Sequence, residues 1–260
     1  MSLARFFLPS QVLAYEQESP FILRLSAEDE HHARVLRLAA GEHVAVVDAA
    51  QDYFECEIVS FDAEGMCVRI AAHNSASVER PQVCLLQGIS KGDKVDVVIR
   101  HATELGVTQF VPLACERSVV KLDGDKAHKR VGRWRAIAKS AAMQSGQPRI
   151  PEVTLPYRCD EVEEIISDAT CILICWEEAR GIGVSEAIAQ ALQLSGQPAA
   201  HARVALVIGP EGGLTQHEVD YFLHMGPPAY AVTLGPSILR TETAGIVAPA
   251  LVLSALGVLQ

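Results

Sequence analysis

The chain has 260 residues, 49% hydrophobic and 21% charged, an ordinary balance for a globular protein with a sizeable core in one large domain or two unequal ones. Its formal net charge of −10 argues against a uniformly basic nucleic-acid binder, so any such contact must rest on a local patch. The opening MSLARFFLPS has no long apolar run, and no stretch reaches the roughly 18 apolar residues of a membrane span, so a cytoplasmic protein is expected.

Up to about residue 73 the texture is short and β-rich. RFFL, FILRL, EHVAVVD, YFECEIVSF and MCVRIAA alternate or are β-branched, with turns between them. One helix interrupts them, AEDEHHARVLRL, in which Ala33 and Leu36 fall at helical spacing. This pattern predicts a small β-barrel or sandwich over residues 1–73, followed by a polar linker at 74–81 that a proline closes.

From Gln82 strands and helices alternate. QVCLLQGI is a strand, and KGDKVDVVIRHATELGV is a helix that Gly106 stops. TQFVPLAC is the next strand; a basic loop and a helix around VGRWRAIAKSAAMQSG follow. TCILICWE, RVALVIG and AYAVTLG read as further strands. The helices GVSEAIAQALQL, TQHEVDYFLHM and ETAGIVAPALVLSAL intervene or follow. Such alternation over 82–260 predicts a mainly parallel sheet covered on both faces. Pro249 inside the last helix predicts a kink or an early boundary. That helix is apolar nearly all round, with small residues Ala244, Ala248, Ala250 and Ala255; it is either a core helix or a dimer seam.

The seven cysteines are scattered, and Cys171 and Cys175 are too far apart for a C-x-x-C pair, so reduced thiols and no metal site are expected. Arg117 to Lys139 carries eight basic residues against Asp123 and Asp125, either a solvated face or a phosphate-binding strip.

Two strands run into Gly-Pro loops, VALVIGPEGGLTQHE and VTLGPSILRTETAG. In the first, Thr215 and Glu218 form a T-x-x-E capping box that fixes a helix start. Neither loop is a dinucleotide fingerprint or a P-loop. Tight linking turns remain the plain alternative. Two such loops at the carboxyl ends of neighbouring strands favour a ligand slot, with Ile238 and Leu239 covering a flat heterocycle. Thr241 reads as an N-cap and Glu242 suits the positive helix end; Arg240, just outside it, has no such role and is the better functional candidate.

RFF, HHARVLRLAAGE, KGDKVDVVIRHATELGV, ERSVVK, GPEGG and LGPSILRTETA follow one another as in SPOUT-class methyltransferases. Over its whole length the chain most resembles the ribosomal RNA small subunit methyltransferase E family, which methylates uridine N3 in 16S ribosomal RNA. The resemblance implies a PUA-like RNA-binding β-barrel at 1–73, a linker at 74–81 and an α/β trefoil-knot methyltransferase domain at 82–260. It implies S-adenosylmethionine as cofactor, no metal, 16S ribosomal RNA in the small subunit as partner and a homodimer that completes the active site.

The matching cofactor positions are Cys175, Trp176, Ile208, Gly209, Glu211, Gly212, Gly213, Leu234, Gly235, Ser237, Ile238, Leu239, Arg240, Thr243 and Ala244. RNA capture is expected from Arg5, His32, Arg34, Arg37, Arg117, Lys121, Arg133 and Arg149. Arg240 is expected to neutralise charge on a uracil oxygen, with Glu211 or Glu242 as base, Glu242 having the helix cap as its competing role. The chain departs from the family where relatives carry Glu-Gln and then Gly-Arg: it reads Met143-Gln144-Ser145-Gly146-Gln147-Pro148-Arg149, without the Glu and the first Arg, while Arg149 fits a second family arginine. A non-catalytic RNA-binding assembly factor of the same fold and a nucleotide-dependent oxidoreductase are the rival readings.

Overall fold

A computed structural model describes residues 3–17, 19–74 and 79–259. It divides the chain into Met1–Val78 with Ala142–Arg149, and Glu79–Ala141 with Ile150–Gln260. Part of the expected linker, 75–78, lies outside the described residues.

In the first unit the strands β1 (Ala4–Phe7), β2 (Phe21–Ile22), β3 (His43–Val47), β4 (Tyr53–Asp62) and β5 (Gly65–Asn74) form one sheet. Its order is β1-β3-β4-β5-β2, with β1 parallel to β3 and the other pairs antiparallel. The period-two pattern of β4 turns Phe54, Cys56 and Ile58 into the core beside Phe6, Val44, Val46 and Val68. Met143 packs on the same core, which is why 142–149 belong to this unit although they are distant in sequence. Helix α1 (Ala27–Val35) starts where Ser26 accepts a hydrogen bond from the Asp29 amide at 3.1 Å. It ends three residues earlier than the pattern predicts. Leu36 is the C-cap and is exposed rather than core-facing, and Arg37 after it takes a left-handed φ of 56° that turns the chain out of the helix.

The second unit contains β6 (Gln82–Gly88), α2 (Lys94–Leu105), β7 (Gln109–Ala114), α3 (Gly124–Ser145), β8 (Glu152–Val153), β9 (Tyr157–Arg158) and α4 (Glu163–Ile166). It continues through β10 (Cys171–Cys175), α5 (Val184–Ser195), β11 (Arg203–Ile208), α6 (Gln216–Leu223), β12 (Ala229–Val232) and α7 (Thr241–Ala255). The last residues of α3 belong to the first unit. Every strand pair in this sheet is parallel, in the order β12-β10-β11-β6-β7-β8, with β9 also on β7. Both faces are buried, so the strands read as unbroken apolar runs. Val204, Leu206 and Ile208 of β11 enter the core under α2, α3, α5 and α7, while Ala205 and Val207 enter the core under α4 and α6.

Three expectations are refined here. Helix α3 begins at Gly124 and not near Val131; of its first turns only Ala127 is buried, so apolar periodicity could not reveal them, although lysine and arginine are good helix formers. Helix α7 runs through Pro249 to Ala255 without an early boundary. Its small-residue face is core: Ala244, Gly245 and Ala248 are buried, and the helix packs on α2, α5, β6 and β11 of its own chain, so Ala244 and Ala248 are not free to form a seam with another copy. Among the described residues no helix is long and apolar enough to cross a membrane.

Candidate functional site

Parallel registry levels the carboxyl ends of β10, β11 and β12, with Cys175 opposite both Ile208 and Val232. The chain leaving each end is irregular, and the three loops enclose a cavity of about 890 Å³. Its walls are the segment after β10 from Cys175 to Gly181, the Gly-Pro loop from Gly209 to Leu214, and the second Gly-Pro loop running into α7. Open parallel sheets place ligands at such strand ends.

The first Gly-Pro loop is held from beneath. A Cβ on Gly88, at the end of β6, would lie 2.3 Å from the Pro210 nitrogen, so only glycine allows the loop to lie against the strand. A buried polar chain then ties it to α7. The Thr241 hydroxyl donates to the Gly209 carbonyl at 2.6 Å and accepts from Gln87 Nε2 at 2.9 Å. Arg117 supports the same loop from outside, donating to the Gly212 carbonyl at 3.0 Å and the Leu214 carbonyl at 3.2 Å. The helix that follows begins as its sequence predicts: Glu218 accepts from the Thr215 amide at 2.8 Å, and the Glu218 amide donates to Thr215 Oγ1 at 3.2 Å.

The charged rim is organised around Lys94. Its ammonium donates to Glu211 Oε1 at 2.9 Å and lies 4.0 Å from Glu242 Oε2. Glu211 also accepts from the Lys91 amide at 3.0 Å. Burial pushes the Glu211 carboxyl upward, but the Lys94 hydrogen bond, the backbone amides of Glu211 and Lys91, and the Lys94 charge together hold it below its ordinary value. Glu211 is therefore a weakened proton acceptor. Glu242 differs: its Oε2 is buried and has no hydrogen-bond partner among the described residues. Burial pushes the Cys175 thiol up to about 12, leaving it neutral against whatever the cavity holds.

Of the sequence-predicted cofactor positions, Cys175, Trp176, Ile208, Gly209, Glu211, Gly212, Gly213, Leu234, Gly235, Ser237, Ile238, Leu239, Arg240 and Ala244 all line this cavity. Thr243 does not; it stands exposed on α7, whose neighbours Thr241, Glu242 and Ala244 face the cavity, because successive helical residues rotate about 100°. Arg240, exposed at the rim, is itself the N-cap of α7 and makes no side-chain cap; Thr241 is the first helical residue, its hydroxyl spent on Gly209. Sequence reasoning missed Lys94 and Arg180 in the lining, since nothing in their local pattern announces a site across the fold.

The predicted RNA contacts fall into two groups. Arg34, Arg37 and Arg149 are exposed in the first unit, and Lys121 is exposed in the second. His32 is exposed and meets the Phe6 ring edge-to-face. Arg34 also lies 3.5 Å from Glu30 on the same helix, and the remaining three have further structural partners. Arg5 donates to the Gln147 carbonyl at 2.6 Å and lies over the Tyr53 ring, and burial lowers its pKa. Arg133 pairs at 2.5 Å with the buried Asp96, which also accepts from Trp134 Nε1 at 2.9 Å. Arg117 supports the Gly-Pro loop, as described.

Residues 78–253 match the family of RNA methyltransferase domains. The chain is 33% identical over 248 residues to the ribosomal RNA small subunit methyltransferase E of Bacillus subtilis (strain 168), covering 94% of this chain and 93% of that protein. It superposes on the ribosomal RNA small subunit methyltransferase E of Neisseria gonorrhoeae bound to S-adenosylmethionine with a TM-score of 0.75. Identity there is 26%, over 97% of this chain and 98% of that one. A Legionella pneumophila structure in complex with the bound cofactor S-adenosylmethionine gives a TM-score of 0.76 at 30% identity, over 98% of both chains.

Proposed function

The chain belongs to the ribosomal RNA small subunit methyltransferase E family, and we propose that it is a cytoplasmic enzyme that methylates N3 of a specific uridine in 16S ribosomal RNA. It is a ribosomal RNA methyltransferase that uses S-adenosylmethionine. The observation that carries the reading is the cavity at three level strand ends, walled by both Gly-Pro loops and bordered by Arg240 and Glu242.

The residues present suit that cofactor. Ile208, Leu214, Leu234, Ile238 and Leu239 supply apolar walls for a heterocycle, while Lys94, Arg180, Glu177 and Glu242 offer both signs of charge to an amino-acid moiety. S-adenosylmethionine supplies a methyl group already activated on a sulfonium, which leaves mainly positioning to the protein. The neutral Cys175 thiol offers no competing nucleophile.

N3 lies on the Watson–Crick edge, so the uracil enters unpaired or flipped out. Arg240 neutralises the negative charge that builds on a uracil carbonyl oxygen as N3 loses its proton. Glu242 takes that proton, having a carboxylate oxygen free of hydrogen bonds. Glu211 holds Lys94 and the loop in place instead. The first unit serves as a PUA-like RNA-binding barrel spanning residues 1–73, and 82–260 as a knotted methyltransferase domain. A homodimer forms around the exposed Ile238 and Leu251, which the chain's own core leaves uncovered.

The test is methylation of small-subunit particles with labelled cofactor, followed by nucleoside analysis. N3-methyluridine is expected, and Arg240→Ala lowers turnover by on the order of 100- to 1,000-fold with cofactor affinity nearly unchanged by calorimetry. Lost cofactor binding with normal turnover at saturation would reverse the role given to Arg240. Any other modified nucleoside would reject N3.

A further inference from the structure

The cysteine spacing shows no metal motif along the chain, yet folding gathers three donor groups from distant places. Cys115 directly follows β7 and Cys159 directly follows β9. Those strands pair in parallel, with Leu113 opposite Tyr157 and Ala114 opposite Arg158, so the two cysteines stand at the next position of the same ladder. Glu218, in the first turn of α6, completes the group: both Sγ atoms and a Glu218 carboxylate oxygen lie within 4.8 Å of one another. Cys115 and Glu218 are 6% and 3% exposed.

We propose that Cys115, Cys159 and Glu218 bind a thiophilic divalent cation of the zinc type. Around tetrahedral zinc, bonds of about 2.3 Å to sulfur and about 2.1 Å to oxygen set donor separations of roughly 3.5–3.8 Å. The Cys159 Sγ to Glu218 Oε1 distance is already 3.3 Å. Two sulfurs with one oxygen favour zinc over magnesium or calcium, and a solvent oxygen can fill the fourth position. The carboxylate is held as a ligating carboxylate must be: Oε1 accepts from the Glu116 amide at 2.8 Å and Oε2 from the Thr215 amide at 2.8 Å. Binding exchanges two thiol protons, released to solvent, for one dication, so the local charge is unchanged in a place where a net change is costly.

A disulfide is the competing use of the pair. A bound dication stabilises the thiolates that hold it and would keep the two sulfurs as ligands instead. The cation would fasten the ends of β7 and β9 to α6. The adjacent Arg117 already grips the first Gly-Pro loop, so the metal would brace one wall of the cavity. This assignment does not depend on which base is methylated.

The experiment titrates Co²⁺ into the reduced, chelator-treated full chain. A thiolate-to-cobalt charge-transfer band at one equivalent, displaced by Zn²⁺, is expected. Cys115→Ser and Cys159→Ser each lower Co²⁺ affinity by more than about 100-fold, beyond the range for losing an outer partner, while Cys67→Ser leaves it unchanged. Zn²⁺ raises the melting midpoint of the parent chain and not that of Cys159→Ser; circular dichroism confirms that the serine variants fold. Absence of the band in the parent chain, or its persistence in both serine variants, overturns the proposal. So does a Cys115–Cys159 disulfide formed with peroxide in a reduced chain that takes up no cobalt.

Discussion

The Thr241 hydroxyl has two partners and no substitute for either. It donates to the Gly209 carbonyl at 2.6 Å and accepts from Gln87 Nε2 at 2.9 Å, with Thr241 only 7% and Gln87 only 2% exposed. Valine fills nearly the same volume but deletes the hydroxyl, so Thr241→Val isolates the hydrogen bonds from the packing. Each buried group left without a partner costs about 1–3 kcal/mol. Gln87 Nε2 keeps a long contact of 3.4 Å to the Gly88 carbonyl, so its loss falls at the low end, and the two together give about 2–4 kcal/mol. Chemical denaturation of the purified chain reads that loss directly. In a Gln87→Leu background the amide is already gone, and Thr241→Val should cost roughly 1 kcal/mol less. A change below about 0.5 kcal/mol in the parent chain, or equal costs in the two backgrounds, would refute the claim that this chain of bonds joins α7 to the first Gly-Pro loop.

Gly213→Ala should destabilise by roughly 1–2 kcal/mol and weaken cofactor binding, since Gly213 has φ 71° and a Cβ would stand 2.5 Å from Glu177 Oε1; unchanged calorimetric affinity would show that Glu177 moves away freely. Burial raises the thiols of Cys84, Cys171 and Cys175 from 9.0 to about 12. Unfolded thiols ionise first, so this contribution is complete below about pH 9 and is lost as pH rises toward about 12. Denaturation midpoints that stay flat across that window, or a slope that Cys171→Ala leaves untouched, would contradict it. If Arg34, Arg37 and Arg149 each displace a counterion from single-stranded RNA, log affinity should fall with log salt with a slope of about −2; a flat titration would remove them from the RNA surface.

The legible parts of this molecule are those in which local pattern and global packing coincide. β10 and β11 read as continuous apolar runs because both their faces are covered, and Thr215 with Glu218 announces a helix start because both partners lie within one turn. The two Gly-Pro loops were legible as slot walls because each directly follows a strand; the remaining lining positions were marked by the family resemblance. What could not be read are contacts whose partners meet only after folding. Lys94 and Glu211 are 117 positions apart, and Arg117 and Gly212 are 95 apart. Charge gives no direction along the sequence, so the support that Arg5, Arg117 and Arg133 give to nearby structure could not be read from it. The early turns of α3 were missed because a helix that buries a single alanine there has no apolar period to detect.

The two Gly-Pro loops share a sequence plan but are held in different ways, and this bears on what each contributes. The first presses against Gly88, is bonded through Gly209 to Thr241 and is gripped by Arg117, so its backbone groups are fixed before any ligand arrives. The second has fewer ties: Thr233 donates to the Gly235 carbonyl at 3.0 Å, Leu234 and Leu239 pack against the core, and Thr241 begins α7. Between them a Cβ on Gly235 would meet nothing within 4 Å, and Ile238 is 83% exposed. A preorganised wall lowers the entropic cost of binding a ligand against it. An apolar wall left open to solvent gains stabilisation only when something covers it. The rigid loop therefore suits the part of the ligand that every turnover shares. The open one, which carries Arg240 at its end, suits a partner that arrives later, the role proposed above for the second substrate.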